Sequence, residues 1–90
     1  MRFEWDEAKR RPNIAKHGID FLDADRVFDA RPHLDLDSPR RSEERFLRIA
    51  KLEGQLIAVA WTWRGKGVVR FISARRARDE EKRAYRELHG

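Results

Sequence analysis

Arginines carry the chemistry this sequence can do. In Val68-Val69-Arg70-Phe71-Ile72-Ser73-Ala74-Arg75-Arg76-Ala77, a β-like run opens into a helical pattern. Arg70 interrupts the apolar run, and Arg75, Arg76 and Arg78 stand at its exit and at the helix start. An arginine inside a strand is costly unless it is paired or faces a cleft; Glu80 or Glu81 could pair with Arg70, or Arg70 could grip a phosphate. Cations at a helix start oppose the helix dipole. Their placement is easier to understand when an anion occupies the junction, where free helix N–H groups also bind phosphate. Guanidinium groups hold two phosphate oxygens at once and do not act as bases.

Groups able to move protons are fewer. His17 has the only ordinary side-chain pKa near neutrality, yet it falls in the last turn of a helix before Gly18, where a protonated ring can cap carbonyls. Lys51 ends a strand, and Tyr85 lies on the last helix with either its ring packed or its hydroxyl presented to a cleft. Arg48 and Lys51 are three residues apart and point to opposite faces, so only one can share a cleft with Arg70. Tight turns make that Arg48, and a one-residue slip makes it Lys51. Arg64 sits in the exposed Trp63-Arg64-Gly65-Lys66-Gly67 turn. Trp5, Trp61 and Trp63 could stack on bases or build a small core. His33 and His89 have no ligand neighbours in sequence, and there is no cysteine, so neither a metal site nor a disulfide is expected.

Charge is distributed unevenly. Residues 1–37 hold 7 Lys/Arg against 9 Asp/Glu, net −2; residues 38–90 hold 14 against 7, net +7. Of the 21 cationic residues 16 are arginine, and the pI is near 10.2. That points to a polyanionic partner, the alternative being a solvated, salt-bridged surface. Ninety residues without a linker make one domain, 1–90. The charged start has no signal-peptide character and no run suits a membrane helix, so a cytoplasmic protein that avoids membranes is expected.

These residues need elements to position them. Arg2–Trp5 reads as a short strand and Asp6 as the cap of a first helix, in which Pro12 predicts a kink or early break and Gly18 the stop. Asp20 can cap a second helix with Phe21, Ala24, Val27 and Phe28 on one face. His33–Asp37 fits an edge strand, Arg45–Leu52 and Leu56–Trp63 a hairpin about Glu53-Gly54, and Val68–Ser73 a further strand. A helix runs from about Arg76 to His89. This order argues an α+β fold, an N-terminal helix pair and a C-terminal helix packed on an antiparallel β-sheet. Tight hairpins would set Phe46, Arg48, Val59, Trp61, Val68, Arg70 and Ile72 on one face, and Lys51, Ala58, Val69, Phe71 and Ser73 on the other.

A family resemblance runs along nearly the whole chain. Phe3-Glu4-Trp5-Asp6 with Lys9, Asn13, Lys16-His17-Gly18-Ile19, Phe21, Ala24, Phe28-Asp29, Glu44-Arg45-Phe46, Gly54, Arg70, Ile72-Ser73-Ala74-Arg75, Ala77 and Tyr85 together resemble the BrnT toxins of type II toxin–antitoxin pairs. Pro12 and the bulky Trp61-Thr62-Trp63 depart from the pattern. The resemblance implies a RelE-like fold and a ribonuclease that cuts RNA and inhibits translation. It further implies a BrnA-type antitoxin that neutralises the toxin, carries the DNA-binding segment and joins it in repressing their operon. On that footing a metal-independent endoribonuclease without cofactor is expected, with Arg70, Arg75, Lys51, His17 and Tyr85 as catalytic candidates. Arg48, Arg64, Arg76 and Arg78 are then expected to bind RNA. The alternative is a non-catalytic nucleic-acid-binding or co-repressor module.

Overall fold

The computed structural model describes all 90 residues. The chain runs β1 (Arg2–Trp5), α1 (Glu7–His17), α2 (Phe21–Ala24) with a following 3-10 turn (Asp25–Phe28), β2 (His33–Asp37), β3 (Phe46–Leu52), β4 (Gln55–Trp63), β5 (Val68–Arg76) and α3 (Asp79–His89). The five strands form one sheet in the order β1-β5-β4-β3-β2. Four are antiparallel neighbours, but β1 runs parallel to β5, so the expected antiparallel sheet is in fact mixed.

Local signals account for most boundaries. The Asp6 carboxylate accepts the Ala8 N–H at 3.0 Å and starts α1, and Gly18 ends it at φ 73°. Asp20 likewise accepts the Leu22 N–H at 3.0 Å. Glu53 and Gly54 both have positive φ, the backbone of a hairpin turn matched to strand twist. Pro12 does not end α1 early, one of the two outcomes expected of it. The missing N–H forfeits one bond, while Asn13, immediately after it, fastens the helix to β5.

One bulge decides the faces. Ala60 pairs with Ser73 but Trp61 with Phe71, which leaves Ile72 unmatched in β5. Before the bulge, Trp63 pairs with Val69 and Thr62 with Arg70. Val69 and Phe71 therefore join the Trp61 face, and Arg70 lies opposite, the reverse of the tight-turn expectation. The β4–β5 connection is longer than a two-residue turn, and the bulge restores the alternation beyond it.

Each face has its own cover. Phe21, Ala24 and Val27 are fully buried against Val59, Trp61, Val69 and Phe71. Phe71 centres an aromatic cluster with Phe3, Trp5, Phe21 and Phe28 at centroid distances of 5.4–6.2 Å. On the other face Ala77 and Tyr85 pack on Ile49, Leu56 and Ala58, and α3 lies against β2 and β3. No helix is long and apolar enough to cross a membrane.

Candidate nucleic-acid cleft

The C-terminal ends of β3 and β5 and the start of β4 meet α3 at one end of the sheet. There Lys51, Gly54, Gln55, Leu56, Arg76, Lys82, Tyr85, Arg86 and Gly90 line a cleft of about 360 Å³. Lys51 is the exposed position of β3 just before the hairpin, opposite Leu56, and Arg76 closes β5 opposite Ile57. Lys82 and Arg86 are four apart on α3 and so share a helix face. None of these four cations enters an ion pair, and no aspartate or glutamate lines the cleft. Uncompensated cations round a concave wall raise the local concentration of an anion.

Tyr85 sits at the back of this cleft, only 4% exposed. Its ring packs in the α3-side core and lies 4.9 Å from the His89 ring. The hydroxyl has no hydrogen-bond partner within the chain. A buried ring with an unengaged hydroxyl at a cation-lined wall leaves that hydroxyl available to a ligand.

Beside the cleft, Arg75 is committed. Its Nη1 and Nη2 donate to the two Glu81 oxygens at 2.8 and 2.9 Å. Glu81 also accepts the Arg78 N–H at 2.8 Å, capping α3. One buried carboxylate thus ties the end of β5 to the first turn of α3. The Arg75 hydrogen bonds hold the Glu81 carboxyl below the usual range against the upward push of burial, and the Arg78 N–H assists. The same pair raises the Arg75 pKa. Arg78 keeps an exposed side chain outside any ion pair.

His17 ends α1, half-buried and outside the cleft lining. Burial, and after it the Lys16 and Arg75 charges, push its pKa below the ordinary value. That direction opposes the expected dipole-stabilised cap, and the ring makes no hydrogen bond to a helix carbonyl. The Gly18 N–H caps the helix instead, donating to the Ile14 carbonyl.

The remaining candidates lie elsewhere. Arg48 is on the opposite face, donating to both Asp35 oxygens at 2.8–2.9 Å with its guanidinium 4.0 Å from the Phe28 ring centroid. It therefore does not share a face with Arg70. Arg70 shares Lys51's face but donates to Glu4 at 2.6 Å. Arg70 is opposite Thr62 and Lys51 opposite Leu56, six residues apart along β4, or about 20 Å. Arg64 is exposed in the β4–β5 turn, also far from the cleft. Lys82 and Arg86 were missed in the sequence, where only the apolar stripe of the last helix was traced; their i, i+4 spacing beside Tyr85 was the available signal. No group of three or more His, Cys, Asp and Glu side chains is arranged to hold a metal ion.

A small basic α+β domain with a cation-lined cleft at one sheet end is of a kind suited to a polyanionic ligand. Residues 5–81 match a family model described as the ribonuclease toxin, BrnT, of type II toxin–antitoxin systems. The 1.1 Å crystal structure of the Brucella abortus ribonuclease toxin BrnT is similar to this one, with TM-score 0.66 and 33% identity over 88% of this chain and 99% of that one. No functionally curated protein matches. The chain belongs to the BrnT family of ribonuclease toxins, for which RNA is the target and an antitoxin the partner.

Proposed function

We propose that this chain is a RelE-like, metal-independent endoribonuclease that cuts RNA in the cleft between the β3–β4 hairpin and α3, and thereby inhibits translation in the cytoplasm. The observation that carries this reading is the convergence of Lys51, Arg76, Lys82 and Arg86, all without carboxylate partners, around the free hydroxyl of Tyr85.

Cleavage without metal requires the 2′-hydroxyl to attack the adjacent phosphorus. The 2′-O–P bond forms, the P–O5′ bond breaks, and the products are a 2′,3′-cyclic phosphate and a 5′-hydroxyl. One proton leaves the 2′-hydroxyl and one reaches the 5′-oxygen. Arg76, Lys82 and Arg86 hold phosphate oxygens and offset the charge that builds on phosphorus. Lys51 and Tyr85 are the proton-transfer groups within the cleft and divide the two transfers. Arg75, held by Glu81, fixes the cleft wall, and His17 stands outside the cleft lining. A BrnA-type antitoxin neutralises the toxin, and the pair represses its own operon.

The test is incubation of purified protein with single-stranded RNA in EDTA, with end-group analysis of the products. Cleavage leaving cyclic phosphate ends is expected, reduced about 10²–10⁴-fold in Lys51→Ala or Tyr85→Phe. Expression should arrest growth, and the adjacent gene should relieve it. A folded protein that shifts RNA in a gel without shortening it would be a binding module instead.

A further inference from the structure

The cleft does not use the other end of the sheet, where the β2–β3 loop, the β4–β5 turn and the start of β1 come together. Arg2, Arg40, Arg41, Arg64 and Lys66 are all exposed there, and none enters an ion pair. The other two cations at this end are taken, Arg45 by Glu43 and Arg70 by Glu4. Asp37 and Glu44 are the carboxylates left without an ion pair.

Among these cations stands Trp63, 44% exposed at the end of β4. Its mount is rigid. The ring meets buried Trp61 edge-on, with centroids 5.2 Å apart and planes at 85°. Trp61 in turn packs on Phe46 at 4.7 Å and Phe28 at 5.3 Å. The only other large apolar side chain exposed at this end is Met1, so there is little apolar surface for a protein partner to cover. An exposed aromatic ring mounted on packed rings, at a sheet end that also carries free cations, suits a flat base with phosphates on either side.

We propose that this end of the sheet is a second RNA-binding surface, in which Trp63 stacks one base and Arg64, Lys66, Arg40 and Arg41 hold the flanking phosphates. The choice of RNA as the polyanion rests on the function proposed above; the surface itself is independent of the cleft. Trp63 lies seven residues along β4 from Leu56 of the cleft, or about 23 Å. A longer single strand reaches both sites, and a dinucleotide reaches only one. The surface therefore anchors long substrates while chemistry proceeds at the other end.

The experiment compares wild type, Trp63→Ala, Trp63→Phe and the double variant Arg64→Ala/Lys66→Ala in two assays. The first measures affinity for an uncleavable 2′-deoxy strand of about 12 nucleotides; the second measures dinucleotide cleavage. Base stacking of ordinary strength predicts a loss of about 5–150-fold in affinity for Trp63→Ala, with Trp63→Phe retaining most of it. The double variant should flatten the dependence of log affinity on log salt by about 1.4, or 0.7 for each cation removed. Dinucleotide cleavage should be unchanged in all of them. Unchanged affinity and salt slope overturn the inference, as does weaker antitoxin binding with RNA affinity intact. Trp63-dependent binding by a wild-type protein that cleaves nothing leaves this surface standing and removes the nuclease reading.

Discussion

Replacing Asn13 with alanine should be among the most damaging polar substitutions in the molecule. β1 ends opposite Phe71, so the edge of β5 beyond that point has no neighbouring strand. Asn13, 8% exposed, substitutes for one. Its Nδ2 donates to the Ala74 and Ile19 carbonyls, both at 2.9 Å, and its Oδ1 accepts the Ala74 N–H at 3.2 Å. Alanine removes three hydrogen bonds and strands the buried donor and acceptor of Ala74 away from water. At about 1 kcal/mol per bond, more where a buried group is left unsatisfied, the loss is about 2–4 kcal/mol. A domain of this length is stable by about 5–13 kcal/mol in total, so the variant keeps its fold with little margin. The corresponding fall in Tm is about 10–30 °C. Asn13→Asp keeps the acceptor and loses both donors, and should be at least as damaging at neutral pH. Urea titration and thermal melting by circular dichroism measure both variants. A destabilisation below about 0.5 kcal/mol for alanine, or an aspartate variant as stable as wild type, would refute the clamp.

The other predictions concern charge. Lys82→Ala/Arg86→Ala should reduce cleavage of a dinucleotide and flatten the salt dependence of affinity for a longer uncleavable strand by about 1.4, with little change in Tm; an unchanged slope removes both residues from the cleft. Arg70→Ala should lower stability through the orphaned Glu4 while short-substrate cleavage survives, and a folded variant with cleavage abolished would move the chemistry to β5's other end. Stability should decline as pH falls from about 4.5 towards 2. Glu81 is held below its ordinary pKa by Arg75, and Asp29 is lowered to about 2, chiefly by Arg31. A depressed carboxyl contributes above the unfolded pKa and loses that contribution as pH falls through the folded one, so Glu81→Gln should show a shallower acid limb in pH-dependent melts. His17 should titrate below its ordinary value by NMR, and a titration point above it would refute the effect of burial.

Local chemistry was legible in the sequence because it acts over a few residues. Asp6, Gly18, Asp20 and Glu53-Gly54 mark helix ends and a hairpin by side-chain size and polarity alone. The parallel placement of β1 was not legible, since nothing within four residues records which strand it will join. Nor was the bulge at Ile72, which reverses the faces of Val69, Arg70 and Phe71. That reversal carried the arginine assignments with it. The sequence offered Glu80 or Glu81 as a partner for Arg70, but Glu81 reaches Arg75, and Arg70 finds Glu4, 66 positions away. Strand alternation grouped Arg48 with Phe46, Val59 and Trp61 correctly but with Arg70 wrongly, and did not show that Asp35 would occupy its fork. Lys51 and Tyr85 were singled out separately, and only the packing of α3 on β3 brings them to one cleft.

The arginines thus divide by what their forks hold. Arg10, Arg26, Arg31, Arg45, Arg48, Arg70 and Arg75 are in ion pairs; Arg2, Arg11, Arg40, Arg41, Arg64, Arg76, Arg78, Arg83 and Arg86 are not, and of these Arg2, Arg40, Arg41, Arg64, Arg76 and Arg86 lie at the two sheet ends. Alanine in place of a well-buried member of the first group, such as Arg48 or Arg75, leaves a carboxylate without its cation and should be felt mainly in folding. Alanine in the second group frees no buried partner and should be felt in RNA affinity and its salt dependence. Tm shift and salt-slope change, measured together across single variants, should therefore separate into two populations with little overlap. A paired arginine whose loss flattens the salt slope without lowering Tm would mean that its carboxylate yields to phosphate when RNA binds. Arg75 is the one to examine for that behaviour, because it lies nearest the cleft and shares Glu81 with the cap of α3.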